Sequence, residues 1–449
     1  MLEESFAPEL EQLADLAQSI AGPDPAVEFA LPTLRAALSS LLVNCPVYRS
    51  YLTGPGPDAA DQALWDGMLA AAEAEGDPWT GAAARWLSEV ILNRDGPAAA
   101  ELRRRFQQLS GPLMAKGLED TEFYRAVALI SVNEVGGELE DPGGDIPGFH
   151  AWAARRAQAH PRDLTPLATH DTKRAPEVRA RLNLLSLEPE AWIAACSRWM
   201  EMNASLRPAE GPDPADEWLI YQTLLGAWPI GPERMGEYLT KAMREAKRHT
   251  RWEHPQEGYE TACLGFAIAL LEDAAASAFR AELDAYAARL ALPTRINGLA
   301  QTVLQLTLPG VADIYQGTEW WDFSLVDPDN RRPVDYAARA AALEAEVPEL
   351  PQDGSGLVKQ AAIRRLLALR QSRPELFDGY EPLDLPPGPG AFLGFTRGGG
   401  RLVVMVPTHA LGAVGCPEPP GGEWWDVLAD APYGGEGPGT VPLRVLVAR

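Results

Sequence analysis

The sequence has 449 residues and a formal net charge of −24, from 39 basic and 63 acidic side chains. That length predicts two or three units with sizeable cores, and the acidic surface disfavours nucleic acid and anionic membrane as partners while admitting a neutral ligand. Hydrophobic residues at 46% and charged residues at 23% are ordinary for a globular protein; no stretch approaches the ~20 apolar residues of a membrane span, and the acidic start MLEESFAPELEQL has neither the basic nor the apolar region of a secretory signal.

Residues 1 to 104 read as helices. Leu31, Leu34, Leu38, Leu41 and Leu42 recur at three- and four-residue steps, and Pro and Gly clusters such as TGPGPD punctuate the pattern. From Arg105 the texture changes: RFQQLSGPLMAKGLEDTEFYR has small residues where a strand would run into a functional loop. LTPLATHDTKR is a short apolar run that ends in polar residues and enters a helix, APEVRARLNLL. Helix returns over 186–290, where Phe279, Leu283, Tyr286, Ala287 and Leu290 make one apolar face. NGLAQTVLQLTLPGVADIYQGTEWW reads as a helix, a buried strand and a polar loop, and VKQAAIRRLLALRQ as another helix. Beyond Gly379 the pattern is β: FLGFTRGGGRLVVMVP predicts two strands around a Gly-rich turn, with more strand in WWDVL and VPLRVLVAR.

Cys45, Cys196, Cys263 and Cys416 lie far apart, with no CxxC and no His at ligand spacing. They read as buried thiols of a cytoplasmic protein, not as a metal site or a disulfide framework. Trp residues, 13 in all, suit sugar stacking, but each alone reads first as core.

Strand, polar loop and helix in succession suggest a (β/α)8 barrel, whose chemistry sits at the C-terminal strand ends. THDTKR, Thr169 to Arg174, fits that place. Asp171 would be a rim carboxylate, with Lys173 and Arg174 favouring its ionised form; such a group stabilises an oxocarbenium-like transition state or binds sugar hydroxyls. The alternative reading of Asp171 is a helix N-cap, and that of His170 a structural histidine.

THDTKR, MAKGLEDTEFYR, LPGVADIYQGTEWWDFSLVDPDNRRPVDY, FHAWAARRAQAHPRDLTPLATHDTKRAPEVRARLNLLS, DEWLIYQTLLGAWP, YLTKAMREAKRHTRWEHP and RPELFDGYEPL together resemble, in order, the maltooligosyltrehalose synthases, a branch of the α-amylase clan. The resemblance starts near PVYRSYL at Val47 and implies the C-terminal part of such an enzyme. The implied fold is α/β and helix-rich: the C-terminal portion of a TIM-type (β/α)8 barrel with large helical insertions, followed by a small antiparallel β domain. The implied division is a helical insertion (1–104), a barrel segment with the final catalytic-Asp motif (105–185), a helical insertion (186–290), the last barrel strand, loop and helix (291–378), and the β domain (379–449).

By the same resemblance, the activity is that of an isomerase of the (1→4)-α-D-glucan 1-α-D-glucosylmutase type. It turns the reducing-end α-1,4 bond of a maltooligosaccharide into an α,α-1,1 trehalose bond by intramolecular transfer. Asp171 is implied to stabilise the transition state, His170 to bind the sugar being cleaved, Lys173 to hold the reducing-end glucose, and Arg174 to support it. Lys116, Glu119, Asp120 and Tyr124 are candidate sugar contacts, with surface ion pairing as their alternative. Tyr315, Gln316 and Glu319 match the last-strand motif, where the Glu is usually structural. Asp327, Asp329, Asn330, Arg331 and Arg332 match the loop that follows, without a decided role. No metal or organic cofactor is implied.

Retaining enzymes of this clan use an Asp nucleophile and a Glu acid/base about 5 Å apart, and the family places both ahead of the segment with which this sequence begins. The expectation is therefore a chain inactive alone. It would be the product of an interrupted gene, or of an internal start, or one half of a two-chain enzyme whose N-terminal half is supplied separately. In the complete enzyme the Asp would form a glycosyl-enzyme, the released glucose would turn and attack through its anomeric hydroxyl, and the Glu would act as acid and then base. The competing functions are α-glucan hydrolysis or transfer, a non-catalytic maltooligosaccharide-binding subunit, and a helical scaffold.

Overall fold

A computed structural model describes the chain apart from residues 23–27, 140–141, 386–390, 412–414 and 435–441, and the side chain of Gln352. It divides into two compact units, Met1–Arg125 and Ala126–Arg449.

The first unit is helical. Helices α1 (Ala7–Ala21), α2 (Leu31–Val43), α3 (Ala59–Glu75), α4 (Pro78–Asn93) and α5 (Pro97–Met114) bury their apolar stripes together. Leu34, Leu38, Leu41 and Leu42 of the expected leucine ladder are buried, and Trp65 meets Phe106 with ring centroids 5.0 Å apart. Asp58 and Asp77 cap α3 and α4, each accepting two backbone N–H groups that those helices leave unpaired.

The stretch expected to run from strand into loop after Arg105 is helix throughout. Leu102, Phe106, Leu109 and Leu113 fall at helical spacing and face the core of the unit, so burial overrides the small residues between them. The helix then widens into a π-helical turn, Ala115–Glu122, where the Thr121 hydroxyl donates 2.7 Å to the Lys116 carbonyl five residues back. A short turn, α6 (Phe123–Arg125), closes the unit.

In the second unit, α7 (Ile146–Ala159) leads to β1 (Leu164–Pro166), the THDTKR turn and α8 (Pro176–Leu182). A helical block follows: α9 (Pro189–Met202), α10 (Pro214–Ala227), α11 (Pro232–Ala246), α12 (Glu257–Glu272) and α13 (Ser277–Thr307). The predicted face of α13 is real, with Phe279, Leu283, Ala287 and Leu290 buried and Phe279 edge-on to Trp199 at 5.3 Å. The apolar run TVLQLTL is the C-terminal half of α13, not a buried strand. Leu299, Val303 and Leu306 repeat every three or four residues against the C-terminal sheet. The strand is the brief β2 (Val311–Asp313), parallel to β1 with Leu164 opposite Val311, and both of those residues are exposed.

The short helix α14 (Tyr336–Ala342) and α15 (Leu357–Ser372) precede the β region. Among the described residues that region forms one antiparallel sheet in the order β3 (Glu381–Pro382), β4 (Phe392–Arg397), β5 (Leu402–Pro407), β8 (Arg444–Ala448), β6 (Trp424–Asp426) and β7 (Ala431–Pro432). β5 is buried on both faces. Leu402, Val404 and Val406 pack with α13 and α15, while Val403 and Met405 pack with Trp424 and Leu446.

Gly356 starts α15 at φ +103°, and an added Cβ would lie 2.5 Å from the Trp321 amide nitrogen and 2.7 Å from the Trp320 Cα. Backbone cannot swing aside as a side chain can. Gly356→Ala is expected to destabilise the second unit by about 1–3 kcal/mol, read as a lowered urea midpoint at unchanged slope. Among the described residues, no single helix is long and apolar enough to cross a membrane. The four cysteines are free thiols, three of them buried and Cys416 partly so.

Candidate functional site

Thr169–Arg174 follows the C-terminal end of β1 as a tight turn. It holds itself from within: the Thr172 hydroxyl accepts the Thr169 N–H at 2.7 Å, and the Thr169 hydroxyl accepts the Asp171 N–H at 3.2 Å. Two side chains outside the turn complete it. Asn330 Nδ2 lies 3.3, 3.2 and 3.4 Å from the carbonyl oxygens of Thr169, His170 and Thr172. The Glu134 carboxylate accepts the Lys173 N–H at 3.0 Å on each oxygen and the Arg174 N–H at 3.3 Å, with Arg179 Nε 3.9 Å away.

The sequence-level candidates divide accordingly. Asp171 is not a helix cap: the N-cap of α8 is Ala175, which makes no side-chain cap, and Pro176 supplies a first residue that needs no N–H partner. Its side chain is 49% exposed and lies 3.5 Å from the ammonium of Lys173, which is 2% exposed. His170 is exposed beside it. Arg174 is buried and turned away, toward the Asn133 carbonyl at 3.3 Å and the Tyr238 hydroxyl at 3.0 Å, so it braces the turn and leaves Lys173 to face the carboxylate.

A cleft of about 360 Å³ opens beside the loop after β2, and its walls include Gln316, Trp321, Asp322, Asn330, Arg332 and Arg339. Asp329 organises it. Arg234 grips its carboxylate with two bonds of 2.8 Å, Arg332 approaches to 3.0 Å, and the Leu325 N–H donates at 2.7 Å. Burial works to raise the Asp329 carboxyl, but the Arg234 and Leu325 hydrogen bonds together with the charges of Arg234 and Arg332 outweigh it and hold it below the usual carboxylate range. Tyr315 is half-buried and uses its carbonyl to hold Thr318. Glu319 pairs with Arg339 of α14 at 3.1 Å, tying the loop to that helix, and Arg331 pairs with Asp327 at 2.6 Å within the loop.

Lys116, Glu119, Asp120 and Tyr124 belong to the first unit. Lys116 pairs with Asp120 at 2.6 Å across one turn. Glu119, 4% exposed, accepts the Tyr48 hydroxyl at 2.6 Å, and Tyr124 is 4% exposed.

Sequence reasoning missed Glu134, Arg234 and the ion pair of Glu177 with Lys359, because their partners are remote in the chain. It also left Asn330 without a role. One cluster of potential metal ligands, Asp213, Asp216 and His249, occurs among the described residues. Its carboxylates already serve Arg248, His249, Tyr259 and the N-terminus of α10, a structural arrangement.

No family model matches the chain. A curated protein of Mycobacterium tuberculosis H37Rv, named as a maltooligosyl trehalose synthase, is 36% identical over 97% of this chain and 54% of the relative. The solved maltooligosyltrehalose synthase of Arthrobacter ramosus matches at a TM-score of 0.83 and 33% identity, covering 99% of this chain and 56% of that one. Another maltooligosyl trehalose synthase structure matches at 0.76 and 26%, covering 100% and 56%. The chain thus spans about half the length of the relatives it matches. The resemblance read from the motifs is borne out: the curated homologues and structural neighbours are maltooligosyltrehalose synthases, and the helix-rich architecture with its small antiparallel sheet is theirs.

Proposed function

We propose that this chain supplies the C-terminal portion of an enzyme that isomerises the reducing end of a maltooligosaccharide into an α,α-1,1-linked trehalose terminus. The observation that carries the reading is the THDTKR turn: a half-exposed carboxylate, Asp171, held beside the buried ammonium of Lys173 at the C-terminal end of a parallel strand. In this reading Asp171 stabilises the oxocarbenium-like transition states. His170 binds the sugar being cleaved, and Lys173 keeps the released glucose in place until it re-attacks.

The β1–β2 pair belongs, in the same reading, to a (β/α)8 barrel. Parallel sheets are ordinarily covered on both faces, yet Leu164 is 65% and Val311 46% exposed here. That exposed pair favours further strands, from a segment or chain that also brings the nucleophile and the acid/base. The 449 residues alone are accordingly expected to bind maltopentaose without converting it. Calorimetric titration reads the binding and a reducing-sugar assay the conversion. Loss of reducing ends with the pure chain would overturn the claim of incompleteness, and release of free glucose would favour a hydrolase.

A further inference from the structure

The turn bearing His170 and Asp171 hangs between two side chains that touch neither of their functional atoms. We propose that Asn330 and Glu134 are positioning residues, which fix the backbone of this turn and so the direction in which Asp171 faces a saccharide; the proposal rests on the function given above.

Asn330 grips three carbonyls of a single turn through one nitrogen, while its own Oδ1 is buried without a hydrogen-bond partner. A buried acceptor left unpaired is costly, and turning the amide over would aim that oxygen at three carbonyl oxygens. The orientation is therefore set by the turn, since Oδ1 has no hydrogen-bond partner among the described residues. Glu134 works from the other end. Its carboxylate takes the N–H of Lys173, and Lys173 is the ion-pair partner of Asp171. A shift of that peptide moves the ammonium and the carboxylate together. Both residues act on main chain, so side-chain changes within the turn leave their hold intact.

The test is Asn330→Asp in the full chain. The substitution keeps the shape, removes the donor and sets a charge against the three carbonyls. Amide hydrogen exchange over Thr169–Lys173 is expected to quicken about tenfold or more, with α10 and α13 unchanged and the melting temperature nearly so. Maltopentaose affinity should fall about tenfold in step. Glu134→Gln, which keeps one acceptor, should give the smaller change in both.

A merely structural role would lower the melting temperature and loosen turn and helices alike, and that result would overturn the proposal. Unchanged exchange in the turn would overturn it as well. If the unaltered chain binds no maltopentaose while Asn330→Asp still loosens the turn alone, the saccharide reading fails and the hold on the turn is supported.

Discussion

Lys359→Met is expected to destabilise the second unit by about 3–5 kcal/mol, the largest effect foreseen for a single substitution. Lys359 and Glu177 face each other at 2.8 Å with side chains 2% and 1% exposed. Each has a second bond: the ammonium donates to the Trp320 carbonyl at 3.2 Å, and the carboxylate accepts the Asp322 N–H at 2.9 Å. The pair thereby ties α8 and α15 to the loop after β2. Methionine fills the space of the lysine stem but leaves a buried carboxylate without its counter-charge, and that orphaned charge is the source of the cost.

Burial already raises the Glu177 carboxyl, outweighing what Lys359 does to lower it. Without Lys359 the folded-state value climbs further above the unfolded one. The folded state then holds more protons, so the variant should lose stability as pH rises from the ordinary carboxylate range toward neutrality. The double substitution Glu177→Met with Lys359→Met should recover part of the loss, since no charge is then buried alone, while the Trp320 carbonyl and the Asp322 N–H still lose their partners. Urea unfolding followed by tryptophan fluorescence reads all three proteins; Trp321 has its ring centre 5.8 Å from the Lys359 nitrogen. A cost below about 1 kcal/mol for Lys359→Met would contradict the account.

Asp171→Asn has the opposite signature, a large effect on turnover with a small one on folding. The carboxylate is half exposed and lies 3.5 Å from the buried Lys173 ammonium, so its removal should cost about 1 kcal/mol, well below the loss of Lys359. When the chain is combined with the portion of the Arthrobacter ramosus enzyme that it does not match, trehalose-terminus formation should fall about 10²–10³-fold, the usual cost of removing one pre-organised group that stabilises transition-state charge. Equal losses of stability and activity would show Asp171 to be a structural residue.

Much of the architecture was legible because periodicity is local. The ladder of α2, the face of α13 and the strands around the Gly398–Gly400 turn all follow from spacing within one element. The stretch after Arg105 misled because its glycines suggested a loop, although Leu102, Phe106, Leu109 and Leu113 carried the helical signal. TVLQLTL misled for another reason: an unbroken apolar run fits a buried helix as well as a buried strand. For the site, THDTKR was legible as a motif and its supports were not. Glu134 lies 39 residues before Lys173, Asn330 160 residues beyond His170, and Lys359 182 beyond Glu177. Such pairings are set by tertiary packing, and no spacing rule reaches that far.

The central claim is tested most directly by adding to this chain the portion of the Arthrobacter ramosus enzyme that it does not match, and following maltopentaose by reducing-end assay and product analysis. The prediction is loss of reducing ends with a trehalose-terminated product, abolished when the chain carries Asp171→Asn. Free glucose as the main product, or equal conversion with and without Asp171→Asn, would contradict it.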